Sequence, residues 1–340
     1  MNSVHLVVPD LFLPKELAGS VCKGLNLPAL EKLLARGSAT RMARTPEGGV
    51  FENLLCELFG QAVSEHEDAP VAAITARYDK LGEGCWLRAD PVHLHLDQSR
   101  MLLSQVLPTV EDSAAICVSL NEHFSGQGVE FFAPHPQRWY AKTENKPRIR
   151  TIPLSQVIGE NVREALPEGD DSAQWHGVFN EIQMLLYSHP ANDAREMRGE
   201  YPVNSVWLWG GARTEDISLQ KNFDVVSSDD VLPGMFADVA QTKFENWPDK
   251  WNLSQGRQLL AWTGLRDALQ RGDLASWRSG LQDFELNYAQ PLWDAMRSGK
   301  ITLLEIDASG GENFRRIRID RAASWTFWRR PRAISQYSIV

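Results

Sequence analysis

The run from Val178 to Gly211 narrows the choice of fold more than any other stretch of this chain. Val178-Phe179, Ile182 and Leu185-Leu186 recur at spacings of three and four, the apolar stripe of an amphipathic helix. His189-Pro190 ends that stripe, and a polar segment with Gly199 and Pro202 follows. Val203-Asn204-Ser205-Val206-Trp207-Leu208-Trp209 then has the composition of a buried strand, which Gly210-Gly211 stops. Helix, loop, buried strand and glycine turn make a unit of an α/β protein, in which ligands gather at the carboxyl ends of strands. Gly210, Gly211 and Arg213 are thereby candidates to face a ligand. His189, Asn192, Arg195 and Asn204 crowd beside the apolar anchors and need partners if buried, either a ligand or groups of the chain itself.

The remaining segments extend the same alternation. Val4–Val8 reads as a first core strand, with Asp10 just past its carboxyl end as either a catalytic carboxylate or a turn residue. Leu27–Gly37 reads as a helix with proline in its first turn and glycine past its end. Ser38–Met42 follows as a strand. The polar turn Arg44–Gly49 opens a helix over Phe51–Phe59, a weak phosphate cradle without a lysine. Val71–Ala76 is expected as a strand. From Val92 onward polar and apolar residues alternate, so His93, His95 and Asp97 share one face, where two imidazoles can hold a metal or simply meet solvent. Asp90-Pro91 reads as a turn. Arg138, between His135 and Trp139-Tyr140, suits an anion clamp or a surface cation stacked on an aromatic ring. Leu259–Leu269 is ambiguous between helix and strand. Asp273–Met296 reads as a long helix with Trp277, Leu281, Phe284, Tyr288 and Leu292 on one face, and Ile301–Ile306 and Phe314–Ile319 as an antiparallel pair. The expected architecture is a three-layer α/β sandwich with a mainly parallel sheet. Residues 1–80 and 151–340 would form its core domain and residues 81–150 a partly separate cap, with Asp10 and Gly210-Gly211 near one sheet edge.

Composition bounds the function. A net charge of −9 argues against a chain that tracks phosphate backbones, so no nucleic-acid partner is expected. One local exception is the run Arg315 to Arg332, basic and interleaved with Trp325, Phe327 and Trp328, which also reads as an edge strand and tail covering an acidic body. Without a membrane-length apolar run or a signal-like N-terminus, the expected location is the cytoplasm, with no membrane partner. Cys22, Cys56, Cys85 and Cys117 are widely spaced, as suits reduced thiols.

Four segments resemble the archaeal type of cofactor-independent phosphoglycerate mutase, in the alkaline-phosphatase superfamily, and more closely the bacterial RpfE-type regulatory proteins. They are Val7–Asp10 with Leu27–Gly37, Val129–Tyr140, His189–Gly210, and Asp267-Ala268 with Gly272-Asp273. The resemblance implies an alkaline-phosphatase-like fold, a metal-binding role for Asp10, and an anion pocket built from Arg138, His189, Asn192, Arg195 and Asn204. The departures fall on the chemistry. Pro46–Asn53 holds no serine or threonine where the family has its nucleophile. Arg266 and Gln270 stand where the family has Asp-x-x-x-His, and Asp307-Ala308-Ser309 where it has Asp-His-Ser/Thr. A guanidinium has no lone pair for a metal. The expected function is therefore a regulatory or anion-binding module with no cofactor, taking a phosphorylated or other anionic small molecule. The alternative is an active mutase or phosphatase with Mn or Zn at a relocated site of Asp10, His93 and His95.

Overall fold

The computed structural model describes residues 2–41, 50–64, 67–310 and 313–338. Among these residues the strands are β1 (Ser3–Val8), β2 (Ser38–Arg41), β3 (Cys85–Asp97), β4 (Arg100–Gln105), β5 (Val129–His135), β6 (Arg138–Thr143), β7 (Ser205–Arg213), β8 (Val225–Ser228), β9 (Lys243–Asn246), β10 (Arg257–Ala261), β11 (Leu303–Gly310) and β12 (Asn313–Asp320). They form two sheets, one in each of two units: residues 1–44 with 220–340, and residues 45–219. This division differs from the expected boundaries at 80 and 150. Residues 85–92 pair with β7, so the expected cap segment and the His189–Gly211 run share one sheet.

In the first unit the strand order is β2-β12-β11-β1-β10-β8-β9. β11, β1, β10, β8 and β9 are mutually parallel, and β12 and β2 add an antiparallel edge. The expected α/β class with a mainly parallel sheet is what this unit has. Val4, Leu6, Val7 and Val8 are all buried, as they must be in a parallel strand at the centre of a sheet. Gly37 ends the Pro28–Arg36 helix where a Cβ would lie 2.3 Å from the Ile317 side chain, so only glycine lets β12 approach.

Helical structure runs without a break from Leu274 to Ser298, with a π-helical turn at Glu285–Ala289. All five expected stripe residues, from Trp277 to Leu292, are buried. Pro291 cannot donate to the carbonyl one turn back, and Trp251 N donates to that freed Asn287 oxygen at 3.0 Å. The same turn carries Glu285, 4 % exposed, whose carboxylate accepts from Ala29 N at 2.7 Å and Leu30 N at 2.9 Å. Leu27 gives that helix no side-chain cap, so Glu285 supplies one from a distant part of the sequence. Glu285→Ala is expected to cost about 2–3 kcal/mol, because two buried donors lose a charged acceptor; urea unfolding of this variant against wild type measures it.

In the second unit every pairing between the named strands is antiparallel: β3 pairs β4, β6 and β7, and β5 pairs β6. The mainly parallel expectation therefore holds for the first unit only. Leu87, Ala89, Trp139, Ala141 and Leu208 pack into one core with the Val110–His123 and Ser172–Tyr187 helices. On the alternate positions Trp86 and Tyr140 pack with Ala72 and Ala76.

Three local expectations change in this unit. Val71–Tyr78 is a helix, not a strand; Val71 to Ala76 are buried on every side, which erases the periodicity that separates the two. Asp90-Pro91 lies inside β3 rather than in a turn. Pro91 is tolerated because it falls between Arg88, the last residue paired with β6, and Val92, the first paired with β4. Gly210-Gly211 does not stop β7. It forms a bulge, since Trp86 pairs Ala212 while Arg88 pairs Trp209. Gly210 has φ 68, and a Cβ on Gly211 would lie 2.8 Å from Leu87.

Candidate functional site

The carboxyl ends of β1 and β10 collect the polar groups of the first unit. Between β10 and β11 the chain crosses from one side of β1 to the other, and α/β sheets place their ligand crevice at such a switch. Asp10 follows β1 with φ 62, a backbone region that non-glycine residues seldom occupy, and Trp277 Nε1 donates to its carbonyl at 3.1 Å. Its carboxylate is a third exposed, and Arg266 Nε stands 3.4 Å from its Oδ2. Arg266 and Gln270 begin and end one short helix, so the spacing of four puts both on one face. Beside them Thr263 N donates to Asp229 at 2.8 Å, and burial, reinforced by neighbouring Asp230, pushes the Asp229 carboxyl above its usual range. Asp230 caps the Val231–Val239 helix through Leu232 N.

Asp307 lies on β11. It accepts from His5 Nε2 at 2.6 Å and from Arg316 Nε and Nη2 at 2.7 and 2.9 Å. Burial alone would raise its carboxyl, but these hydrogen bonds outweigh burial and hold it below the ordinary range.

The donor set does not fit a pair of divalent ions. Arg266 brings a fixed positive charge to Asp10, Ala308 offers no donor, and Asp307 is consumed by an imidazole and a guanidinium. Among the described residues, no three His, Cys, Asp or Glu side chains converge as metal ligands. Of the expected nucleophile region Pro46–Asn53, residues 46–49 lie outside the described residues and Val50 to Asn53 begin the Val50–Leu58 helix.

The expected anion pocket has a different geometry. Arg138 and Arg195 each meet a carboxylate of the chain, and not the same one. Arg138 donates to both oxygens of Asp79 at 2.6 Å. Arg195, 2 % exposed, donates to Asp112 Oδ2 at 3.1 Å, to Tyr201 O and to Leu107 O, and lies 3.1 Å from Glu200. Neither Asp193 nor Glu181 is among these partners; Glu181 pairs with His123 instead. The expected polar loop is a helix, Pro190–Met197, with His189 as its cap. His189 Nδ1 accepts from Ala191 N, and Nε2 faces Ser119 Oγ at 3.0 Å, with burial lowering its proton affinity. Asn192 bonds Leu186 O, Val203 O and Val203 N. Asn204 bonds both backbone groups of Leu94. The five residues thus fasten helices and strands to one another. In the His93/His95 alternative, the rings stack 5.8 Å apart and His93 Nδ1 faces Pro202 O at 3.0 Å. Asp10 belongs to the other unit, where its side-chain neighbour is Arg266.

Nothing in the sequence pattern pointed to Asp229, to Glu285 or to the pairing of His5 with Asp307. Their partners lie 34, 256 and 302 positions away, beyond the reach of any local motif.

No protein-family model matches the chain. Curated relatives are named 2,3-bisphosphoglycerate-independent phosphoglycerate mutases. That of Methanosarcina acetivorans is 24% identical over 242 residues, covering 65% of this chain and 59% of its own length. A probable one from Geobacter sulfurreducens is 30% identical over 92 residues, 26% of this chain and 23% of its own. The chain therefore spans less than two thirds of the relatives it matches. The solved structure of the PH0037 protein from Pyrococcus horikoshii covers 93% of this chain and 87% of its own at 12% identity, with a TM-score of 0.53, which is a likeness of fold. In sequence, the chain is similar to cofactor-independent phosphoglycerate mutases.

Proposed function

We propose that this chain is a phosphoglycerate-mutase-like protein that acts by binding, as a regulatory or anion-responsive module, rather than by metal-dependent phosphoryl transfer. The observation that carries the reading is Arg266 beside Asp10. Two-metal transfer needs carboxylates and imidazoles free to hold cations that polarise the phosphoryl group and activate the nucleophile. Here Asp10 and Asp307 are tied to the chain's own cations, so a divalent ion at either would displace a guanidinium and then sit beside it. The relatives' names support phosphoglycerates as first ligands to try, and the resemblance to RpfE-type proteins supports a regulatory role.

The test is an interconversion assay of 3- and 2-phosphoglycerate with Mn²⁺, Mg²⁺ or Zn²⁺ supplied, paired with elemental analysis of the purified protein. The expected result is no turnover and no stoichiometric metal. Two bound ions per chain together with turnover would overturn the reading in favour of an active enzyme with a relocated site.

A further inference from the structure

An arginine-rich stretch lies in the last part of the first unit. Residues 315–332 hold seven arginines and one aspartate in a chain of net charge −9. Some of these arginines have internal work: Arg316 binds Asp307, and Arg329 donates to Arg36 O and Gly37 O at 3.1 and 3.0 Å. Arg330 and Arg332 are exposed and have no ion pair or hydrogen bond among the described residues. Neighbouring guanidiniums crowd one another as well. Burial lowers the proton affinity of Arg36 and Arg315, and Arg297 and Arg41 respectively lower it further. Positive charge has therefore accumulated here beyond what the local carboxylates answer.

Three large aromatic residues stand in the same short segment: Trp325, Phe327 and Trp328 are 53%, 77% and 67% exposed. Trp325 already carries Arg297 over its ring at 4.6 Å, while Trp328 lines a cavity. That cavity, about 590 Å³, is bounded by Gly37, Trp328, Arg329, Arg330, Arg332 and Tyr337, all in the first unit. Its size lies within the range of small-molecule sites.

We propose that this cavity is a binding site for a nucleoside phosphate, with Trp328 stacking on the base and Arg330 and Arg332 taking the phosphate. A bare inorganic anion would use the guanidiniums and leave the indole idle. An apolar ligand would use the indole and strip water from unanswered cations. A phosphorylated planar heterocycle uses both, since guanidinium forks match phosphate oxygens and an exposed indole offers a stacking face. The same chemistry is presented by a free nucleotide or by one residue of a single strand; a long duplex is disfavoured by the acidity of the chain as a whole. The site does not depend on whether the chain turns over phosphoglycerate.

Calorimetry with the full chain tests it, using ADP, pyrophosphate, adenosine and a short deoxythymidylate strand as probes. ADP is expected to bind more tightly than pyrophosphate, and adenosine to bind least. The double variant Arg330→Ala/Arg332→Ala should weaken ADP by about tenfold or more, the loss of at least one charge-assisted hydrogen bond. Trp328→Ala should weaken ADP by about tenfold and leave pyrophosphate unchanged. All three side chains are exposed, so unchanged circular dichroism and melting would confirm that the variants fold. A strand that outcompetes ADP identifies the single strand as the source, and the reverse order identifies the free nucleotide; either outcome keeps the site. The proposal is overturned if ADP fails to bind at millimolar concentration, if pyrophosphate binds as well as ADP, or if neither variant weakens ADP.

Discussion

Asp307→Ala is expected to destabilise the unit of residues 1–44 and 220–340 by about 3–5 kcal/mol, the cost of removing one member of a buried ionic set and leaving the others unanswered. Asp307 is 1 % exposed and meets both His5 and Arg316. The triple change Asp307→Leu with His5→Leu and Arg316→Met should recover much of the loss, because a fully apolar replacement leaves no stranded charge. Denaturant midpoints of the two variants measure both effects. The acid limb of wild-type stability follows from the depressed carboxyl. The contribution of Asp307 is fully present above the unfolded carboxylate value of about 3.9 and is lost as pH falls through the lower folded value. Asp307→Asn should therefore flatten that limb while lowering stability at neutral pH. A neutral-pH midpoint equal to wild type in Asp307→Ala would show that the set contributes nothing to the fold.

Arg195→Ala is expected to cost the unit of residues 45–219 a comparable amount, about 3–5 kcal/mol, with no ligand-dependent part. The guanidinium joins three elements at once. Asp112 completes a capping box with Thr109 at the start of the Val110–His123 helix and accepts from Arg195 and Arg198, while Tyr201 O and Leu107 O take the remaining donors. Removing it leaves buried Asp112 with Arg198 and the Thr109 backbone alone, takes the donor from the Tyr201 and Leu107 carbonyls, and frees the loop that carries Tyr201. Thermal melts with and without 3-phosphoglycerate distinguish an anchor from a ligand clamp. An anchor lowers the midpoint equally in both conditions, whereas a clamp removes a ligand-dependent increment that the wild type shows. The second pattern would restore Arg195 to the binding role first read from its sequence.

The elements that the sequence determined by itself are those whose signals are local. The β1 strand, the Pro28–Arg36 helix with its glycine stop, and the Trp277-to-Leu292 face all sit where periodicity and end signals put them. The spacing of Arg266 and Gln270, one helical turn apart, was equally plain, since it needs only the order of residues. The tertiary structure alone decided the rest. Val71–Ala76 became a helix because burial on all sides removes the pattern that tells helix from strand. Gly210-Gly211 became a bulge because β3 passes too close for a side chain. Arg138 and Arg195 find their carboxylates in Asp79 and Asp112, 59 and 83 positions away. A polar residue beside apolar ones announces that it needs a partner. Which partner it finds depends on the register of strands and the packing of helices distant in sequence, and no local pattern encodes that choice.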